Sequence, residues 1–387
     1  MTQKSVGLPR LKKKTEFESI ALLLQGGGAL GAYQGGVYEA LAESDIVPDW
    51  VGGISIGAIN GAIIAGNKPS ERVEKLRGFW ELLTSNPLWQ QWPISPPIMT
   101  GEETTRFFLN YVSAAMTVAF GVRGFFGPHV SPWLATPGSP SATSMYDTKG
   151  LEKTLYSFID FDLLNAGAIR FTTSAVNVTS GNYTLFDNFS QKIGPAHIMA
   201  SGALPPGLPA IQIEDTPYWD GGLISNTPLD WVLHESTRQN TLIFQVDLWS
   251  AEGEFPKDLL EVATRGKEIQ YSSRTRAITR QFKETHRKQH LFASLYNKLP
   301  KELKESEEAR QLSTECGASL YNIVHLIYRA RKYEDYSRDF EFSRQSMEDH
   351  WKAGYEDTLH SLEHKEVLKL PACADGVMTY DLTRDVA

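Results

Sequence analysis

Residues 53–57 read GISIG, and the rest of the chain is organised around this short run. It lies between an apolar stretch at residues 50–53 and a helix-like stretch at residues 58–65. In a nucleophile elbow, a serine flanked by glycines sits at a sharp strand-to-helix turn where a neighbouring Cβ would clash. The pattern therefore predicts Ser55 as a nucleophile, with Gly53 and Gly57 making room for the turn.

A second glycine-rich run, residues 26–31, follows a continuous apolar stretch and leads into an amphipathic helix pattern. A continuous apolar stretch indicates a buried parallel strand. A glycine loop between a strand and a helix aims backbone N–H groups at negative charge, so this loop is predicted to hold an anion. The candidate donors to an oxyanion are Gly26, Gly27, Gly28 and Ala29, and the motif closes at Gly31.

The same glycine run is compatible with a second chemistry. Gly26, Gly28 and Gly31 also satisfy GxGxxG, the dinucleotide fingerprint, which would make the protein an NAD(P)-binding oxidoreductase. That fingerprint requires an acidic residue at the end of the second strand, whereas Asp49 precedes the apolar stretch. Because this strand leads to Ser55 instead, the sequence favours an oxyanion hole.

A serine hydroxyl needs a neighbouring base before it becomes a good nucleophile. Of the nine histidines, His197 and His234 lie in helix-like segments, whereas a triad histidine typically sits on a loop after a strand. Asp220 follows a short apolar strand pattern and precedes Gly221 and Gly222, which places its carboxylate at a strand end. Asp-Gly-Gly alone is usually only a turn, but together with the two glycine motifs it predicts Asp220 as the base.

These three motifs, in this order and each at a predicted strand end, resemble those of the patatin-like phospholipases. The glycine run at 26–31 resembles the family's oxyanion loop, the run at 53–57 its nucleophile elbow, and residues 220–222 its DGG motif. The likeness spans about residues 19–233.

The resemblance implies a three-layer α/β/α fold with a mostly parallel central sheet. It also implies a serine lipid acyl hydrolase of the phospholipase A or lysophospholipase type, acting on phospholipid or another fatty acyl ester. Ser55 and Asp220 would form a dyad that works without histidine, metal or organic cofactor. Leu30 departs from the family, which often has Arg or Lys there. A catalytically silent lipid-binding protein is a further alternative.

Residues 86–146 form an insertion in which loops rich in proline and tryptophan or serine flank an apolar stretch at residues 107–126. Two interpretations stay open for this stretch: a buried helix that covers the sheet, or a lid or acyl-chain wall beside the active site. The candidate lid or substrate residues are Phe107, Phe108, Phe120, Phe125 and Phe126.

The chain is predicted to divide into a basic N-terminal tail (1–18), a catalytic domain (19–250) and a mainly helical C-terminal extension (251–387). The last strand of the sheet is expected at residues 242–248. Beyond it, the apolar residues of the stretch 320–327 repeat at helical spacing and predict a helix that faces the core; they are Leu320, Ile323, Val324 and Ile327.

Composition and charge narrow the choice of partners. A net charge of -8 argues against nucleic acid as the main partner. The two cysteines imply no disulfide framework and a reducing compartment, and the sequence has neither a secretory signal pattern nor a long uninterrupted apolar stretch. We therefore expect a cytoplasmic protein without a transmembrane helix.

Two basic segments offer an alternative contact with anionic lipid at the inner membrane face. The tail at residues 1–17 is basic, and residues 265–290 carry eight Lys or Arg against two Glu. The simpler interpretations are a disordered tail and a solvated helix face. The sequence does not specify an oligomeric state.

Overall fold

The computed structural model describes residues 15–85, 102–234, 239–315, 319–373 and 376–383. Most of the predicted N-terminal tail and the first part of the predicted insertion lie outside these residues. Across the described part of the chain, each helix is too short or too polar to span a lipid bilayer.

The described residues form eleven strands. They are β1 (Ser19–Leu24), β2 (Trp50–Gly53), β3 (Gly127–Pro128), β4 (Tyr146–Asp147), β5 (Arg170–Asn177), β6 (Tyr183–Asp187), β7 (Ile211–Ile213), β8 (Thr216–Asp220), β9 (Thr241–Asp247), β10 (Tyr321–Ile327) and β11 (Val377–Asp381). Nine of them build one sheet in the order β11-β10-β9-β1-β2-β5-β8-β7, with β6 also paired to β5, while β3 and β4 form a separate ribbon.

The larger sheet is mostly parallel, as predicted. Strands β11, β10, β9, β1, β2 and β5 run parallel to one another, and β6, β7 and β8 add antiparallel pairs at one side. The central strand β1 is buried from Ile20 to its end. Helices therefore cover both faces, which explains why its apolar run is continuous.

Twelve helices accompany the sheet in the described residues. They are α1 (Ala32–Glu43), α2 (Ile56–Ala65), α3 (Arg72–Leu83), α4 (Glu102–Phe120), α5 (Lys149–Phe158), α6 (Phe161–Asn165), α7 (Pro195–Ser201), α8 (Leu229–His234), α9 (Leu259–Lys298), α10 (Lys301–Lys304), α11 (Glu307–Glu315) and α12 (Arg344–Glu363). Short 3-10 turns occur at Gly28–Gly31, Pro132–Leu134, Pro140–Ala142, Gly221–Leu223 and Lys365–Leu368.

The side chains of β1 alternate between two hydrophobic clusters, one on each face of the sheet. Leu22 and Leu24 belong to the larger cluster, which includes residues of α1, α2, α3 and α12. Ala21 and Leu23 belong to the smaller one, which α8 and α9 help to cover. Helix, sheet and helix therefore form three layers, in agreement with the predicted fold.

The C-terminal region is rich in helices, yet it also completes the sheet. The prediction of a helix from the apolar spacing of residues 320–327 is wrong. Tyr321–Ile327 is strand β10, which pairs in parallel with β9 and β11. The expected last strand, β9, thus has two further strands beyond it. In a strand buried on both faces, apolar residues need not alternate, and their spacing can match that of a helix.

The predicted domain boundary at residue 250 is not marked by an edge of the sheet, since β9 and β10 lie on opposite sides of it in sequence and pair along their whole length. The C-terminal helix α12 also packs closely against α1. At this contact a Cβ on Gly36 would lie 1.8 Å from the carbonyl oxygen of Trp351, so only glycine allows the two helices to approach this far.

We expect Gly36→Ala to destabilise the fold by about 1–3 kcal/mol, because the added methyl group forces α1 and α12 apart. Chemical unfolding measures the change. Gly266→Ala is the matched control: Gly266 also lies in a helix, its Cβ would meet no atom within 4 Å, and alanine should stabilise that helix by about 0.5–1 kcal/mol. Equal effects at the two positions would contradict the packing argument.

Candidate active site

Ser55 lies at the turn between the end of β2 and the start of α2. Its backbone has φ 57° and ψ -123°, a conformation that residues with side chains rarely adopt. Its N–H donates to Ser201 Oγ at 3.0 Å. A Cβ on Gly57 would lie 2.3 Å from the carbonyl oxygen of Leu24, so a glycine is required for α2 to begin this close to β1.

Asp220 reaches Ser55 from the opposite direction along the sheet. On one edge of β5, β2 pairs with residues 170–173; on the other edge, β6 pairs with residues 172–176. Strand β8 pairs with residues 175–177 of β5. Because β6 occupies the other edge there, β8 lies on the same edge of β5 as β2, just past the end of β2. Its last residue, Asp220, is therefore placed where Ser55 turns into α2.

The Asp220 carboxylate is buried and hydrogen-bonded. Only 2% of the residue is exposed. Its Oδ1 accepts the Gly222 N–H at 2.7 Å, and the carboxylate also bonds the Ser55 side chain. Burial raises the pKa of Asp220 from 3.8 to about 7, and these two hydrogen bonds offset only part of that rise. The carboxyl group can therefore take up and release a proton near neutral pH.

The glycine loop after β1 is clamped by a side chain that the sequence analysis did not select. Gly26 N–H donates to Asn226 Oδ1 at 2.9 Å, and Asn226 Nδ2 donates to the Gly26 carbonyl at 3.0 Å. The same carbonyl accepts Trp249 Nε1–H at 3.0 Å. Asn226 lies only six residues after Asp220, so the tight connection that follows the aspartate also positions the loop.

Of the four predicted oxyanion donors, two have N–H groups that are already bonded within the protein. Gly26 N–H is occupied by Asn226, and Ala29 N–H donates to the carbonyl oxygen of Asp339 at 2.7 Å. Within the described chain, the N–H groups of Gly27 and Gly28 meet no protein acceptor, and both glycines line the cavity above Ser55. These two amides are therefore the ones available to a bound anion.

Asp339 comes from the C-terminal region and is itself held by a partly buried ion pair. Its carboxylate bonds Lys267 of α9, whose ammonium group also lies 4.3 Å from the ring centroid of Tyr336. The neighbouring Arg338 pairs with Glu268 at 2.8 Å. Although burial raises the pKa of Asp339, Lys267 favours its charged form. The C-terminal region thus fixes one side of the glycine loop.

Above Ser55 and Asp220 is a cavity of about 330 Å³. Most of its wall is apolar or aromatic, and the residues concerned are Val118, Phe125, Phe126, Tyr146, Leu204, Leu208, Trp249, Tyr271, Phe340 and Phe342. No histidine occurs among the described residues that line it. His197, considered above as a base, instead accepts the Gly194 N–H through Nδ1 at 3.0 Å.

The predicted lid residues separate into two groups. Phe125 and Phe126 line the cavity, whereas Phe107, Phe108 and Phe120 are exposed on α4 and lie outside its lining. A lid or acyl-chain role for residues 107–126 stays a prediction, and of its five candidate residues only these two are placed at the cavity. Helix α4 ends at Phe120, and the chain then reverses direction at the bridge between Val122 and Phe126, which brings Phe125 and Phe126 to the cavity beside Val118 of α4.

Several cavity residues carry no signal that sequence reasoning could use. Asp339, Phe340 and Phe342 belong to the C-terminal region, far in sequence from the motifs. Trp249 and Tyr271 stack with ring centroids 5.2 Å apart and close one side of the cavity. Only Asn226 follows a recognised motif closely enough to have been a candidate.

Comparison with known proteins places this fold and site in a family. A family model described as patatin-like phospholipase matches residues 22–233, which is more than half of the chain. The chain belongs to the patatin-like phospholipase family. A second model, described as patatin phospholipase, matches residues 269–373. That second match includes β10 and Asp339. Asp339, which accepts a hydrogen bond from the glycine loop, therefore also lies within a segment that a patatin model matches.

Similarity to individual patatin-like proteins is local. Over 56 residues the chain is 50% identical to lysophospholipase nte1 of Aspergillus terreus, covering 14% of this chain and 4% of that protein. Over 64 residues it is 44% identical to patatin-like phospholipase domain-containing protein 7 of Rattus norvegicus, covering 16% and 5%. The chain therefore spans only a small part of these relatives' length.

Among solved structures, one that matches this chain is VipD from Legionella pneumophila. The match has a TM-score of 0.39 and 14% identity, and it covers 92% of this chain and 67% of that one.

We expect Asp220→Asn to stabilise this patatin-like phospholipase at pH 8 by about 1–4 kcal/mol. Because the folded-state pKa is raised, the native protein binds the proton more tightly than the unfolded chain, and stability is lost as pH rises through about 7. Asparagine cannot ionise and keeps an oxygen that can accept the Gly222 N–H.

Unfolding at pH 8 and pH 4 measures this effect, and the difference should shrink at pH 4. Asp215→Asn, at an exposed carboxylate in the turn before β8, serves as the control and should change stability little at either pH. If Asp220→Asn instead lowers the free energy of unfolding at pH 8, burial of the ionised carboxylate does not destabilise the native protein.

Proposed function

We propose that this chain is a serine lipid acyl hydrolase of the phospholipase A or lysophospholipase type, acting through a Ser55–Asp220 dyad. The observation that carries the proposal is the hydrogen bond between the Ser55 side chain and a buried carboxylate whose pKa is raised to about 7. A base with a pKa near the working pH is best suited to take a proton from a serine hydroxyl.

In the proposed reaction, Ser55 Oγ attacks the ester carbonyl carbon while Asp220 takes the hydroxyl proton. The N–H groups of Gly27 and Gly28 stabilise the negative charge that develops on the carbonyl oxygen. The leaving alcohol takes the proton from Asp220, which leaves an acyl group on Ser55. Asp220 then deprotonates a water molecule that attacks the acyl carbon, and it returns that proton to Ser55 Oγ as the acyl–serine bond breaks and the fatty acid is released. The sequence of steps uses no metal or organic cofactor.

The lining of the cavity supports a fatty acyl ester as the substrate. Phe125, Phe126 and Phe342 present apolar surface next to the reactive serine. An acyl chain gains free energy when such surface leaves water, so the chain and not the headgroup supplies most of the affinity.

Two alternatives make different predictions. An NAD(P)-binding oxidoreductase would use the glycine run at 26–31, but Asp49, the acidic residue nearest the expected position, instead accepts the Ile20 N–H at 2.8 Å. Titration with NAD(P) should therefore show no binding. A silent lipid-binding protein would retain acyl lipid without turnover and would not react with a fluorophosphonate at Ser55.

We expect Ser55→Ala to abolish labelling by a fluorophosphonate and to lower hydrolysis of fatty acyl esters by at least about 1000-fold. Ser180→Ala is the control: Ser180 is exposed in the turn between β5 and β6, so its loss should leave labelling and turnover unchanged. A lipid panel on the wild-type protein then defines the headgroup and ester position. Hydrolysis of fatty acyl esters by the Ser55→Ala protein at the wild-type rate would contradict the proposal.

We expect kcat/KM to rise with pH and to reach half of its upper value near pH 7. The dyad needs Asp220 ionised in the free enzyme, and its pKa of about 7 sets the midpoint. A soluble p-nitrophenyl ester reports the profile without effects from lipid aggregation. A rate that stays constant from about pH 5 to about pH 9 would exclude Asp220 as the base.

A further inference from the structure

The ribbon of β3 and β4 carries a protruding loop, residues 129–145, which we call the rim loop. The sequence has no Asp, Glu, Lys or Arg between Arg123 and Asp147. The rim loop also exposes large apolar side chains: Trp133 is 85% exposed, Leu134 is 88% exposed, and Val130 is fully exposed. Exposed apolar side chains concentrated in one uncharged segment mark an interaction surface.

The base of the rim loop is part of the cavity wall. Met145 N–H donates to the Pro206 carbonyl at 3.0 Å, and Tyr146 N–H donates to the Gly207 carbonyl at 2.9 Å. The Tyr146 hydroxyl donates to the carbonyl of Val118 at 2.8 Å. Since Tyr146, Gly207 and Val118 all line the cavity above Ser55, the C-terminal end of the rim loop is anchored at the site itself.

Part of the polar backbone of the rim loop is already paired within the protein. Four of its donors are used within short turns, namely the N–H groups of Leu134, Ala135, Ser139 and Ala142. Pro132, Pro137 and Pro140 have no N–H to satisfy. The donors that are already paired or absent lower the cost of moving the tip of this segment out of water, since each unpaired donor would add to that cost.

We propose that the rim loop inserts Trp133 and Leu134 into a lipid–water interface and so brings the cavity to its substrate. Tryptophan favours the boundary between headgroups and acyl chains, and leucine favours the apolar side of it. The proposal rests on the proposed function for the choice of lipid as partner. An uncharged loop needs no anionic lipid, which distinguishes it from the basic segment of α9.

Flotation with vesicles of pure phosphatidylcholine tests this on the Ser55→Ala protein, so that turnover cannot alter the vesicles. Trp133→Ser with Leu134→Ser should weaken vesicle binding about 10- to 100-fold. Phe255→Ser with Leu259→Ser is the matched control, because these side chains are equally exposed but lie outside the rim loop and the cavity lining. Binding of the unsubstituted loop should persist at high salt.

Hydrolysis provides a second readout that separates this inference from the proposed function. With Ser55 present, the rim-loop variant should keep its rate on soluble p-nitrophenyl butyrate and lose about 10-fold on vesicle lipid. If the wild-type protein hydrolyses neither substrate, the proposed function fails, while the flotation result still decides the role of the loop.

Four outcomes would overturn the inference. The rim-loop variant could bind vesicles as tightly as its parent, or both double variants could lose binding equally. Binding could require anionic lipid and disappear at high salt, which would assign it to basic residues. Finally, absence of vesicle binding, with self-association that the rim-loop substitutions remove, would make the loop an interface between copies of the chain.

Discussion

The backbone of Ser55 is held in a left-handed region of conformational space, at φ 57°, and the rest of the site is built around this constraint. A strained residue persists only where its surroundings leave no alternative, at a cost of about 1–3 kcal/mol. Here the end of β2, the start of α2 and the N–H···Oγ bond to Ser201 determine its position. In this conformation the hydroxyl bonds Asp220, and Ser55 lines the cavity.

The C-terminal region completes the site on the opposite side. Strands β10 and β11 extend the sheet beyond β9, and the segment after β10 returns to place Asp339 against the glycine loop. A main-chain acceptor orients Ala29, while the partly buried Lys267–Asp339 pair holds that acceptor in place. Removing one member of such a pair leaves a partly desolvated charge without its partner, so the arrangement depends on both members together.

The sequence was informative where residue types are restricted locally. A buried strand followed by a glycine turn can be recognised without neighbours, which is why β1, β2 and the turn after β8 could be predicted. Asn226 acts through its amide on a main-chain group and Asp339 through its own carbonyl, which every residue possesses, so neither role has a sequence signature. The stretch at residues 320–327 was misassigned because burial on both faces removes the alternation that distinguishes a strand from a helix.

The contact between Ala29 and Asp339 also has a consequence for the order of events during protein synthesis. The ribosome makes the glycine loop early and its acceptor at Asp339 much later, after β9 and β10. Until that segment leaves the exit tunnel, β9 has no outer neighbour and the loop has no acceptor for Ala29. The surroundings of the glycine loop are therefore completed only after the segment that contains Asp339 has been made.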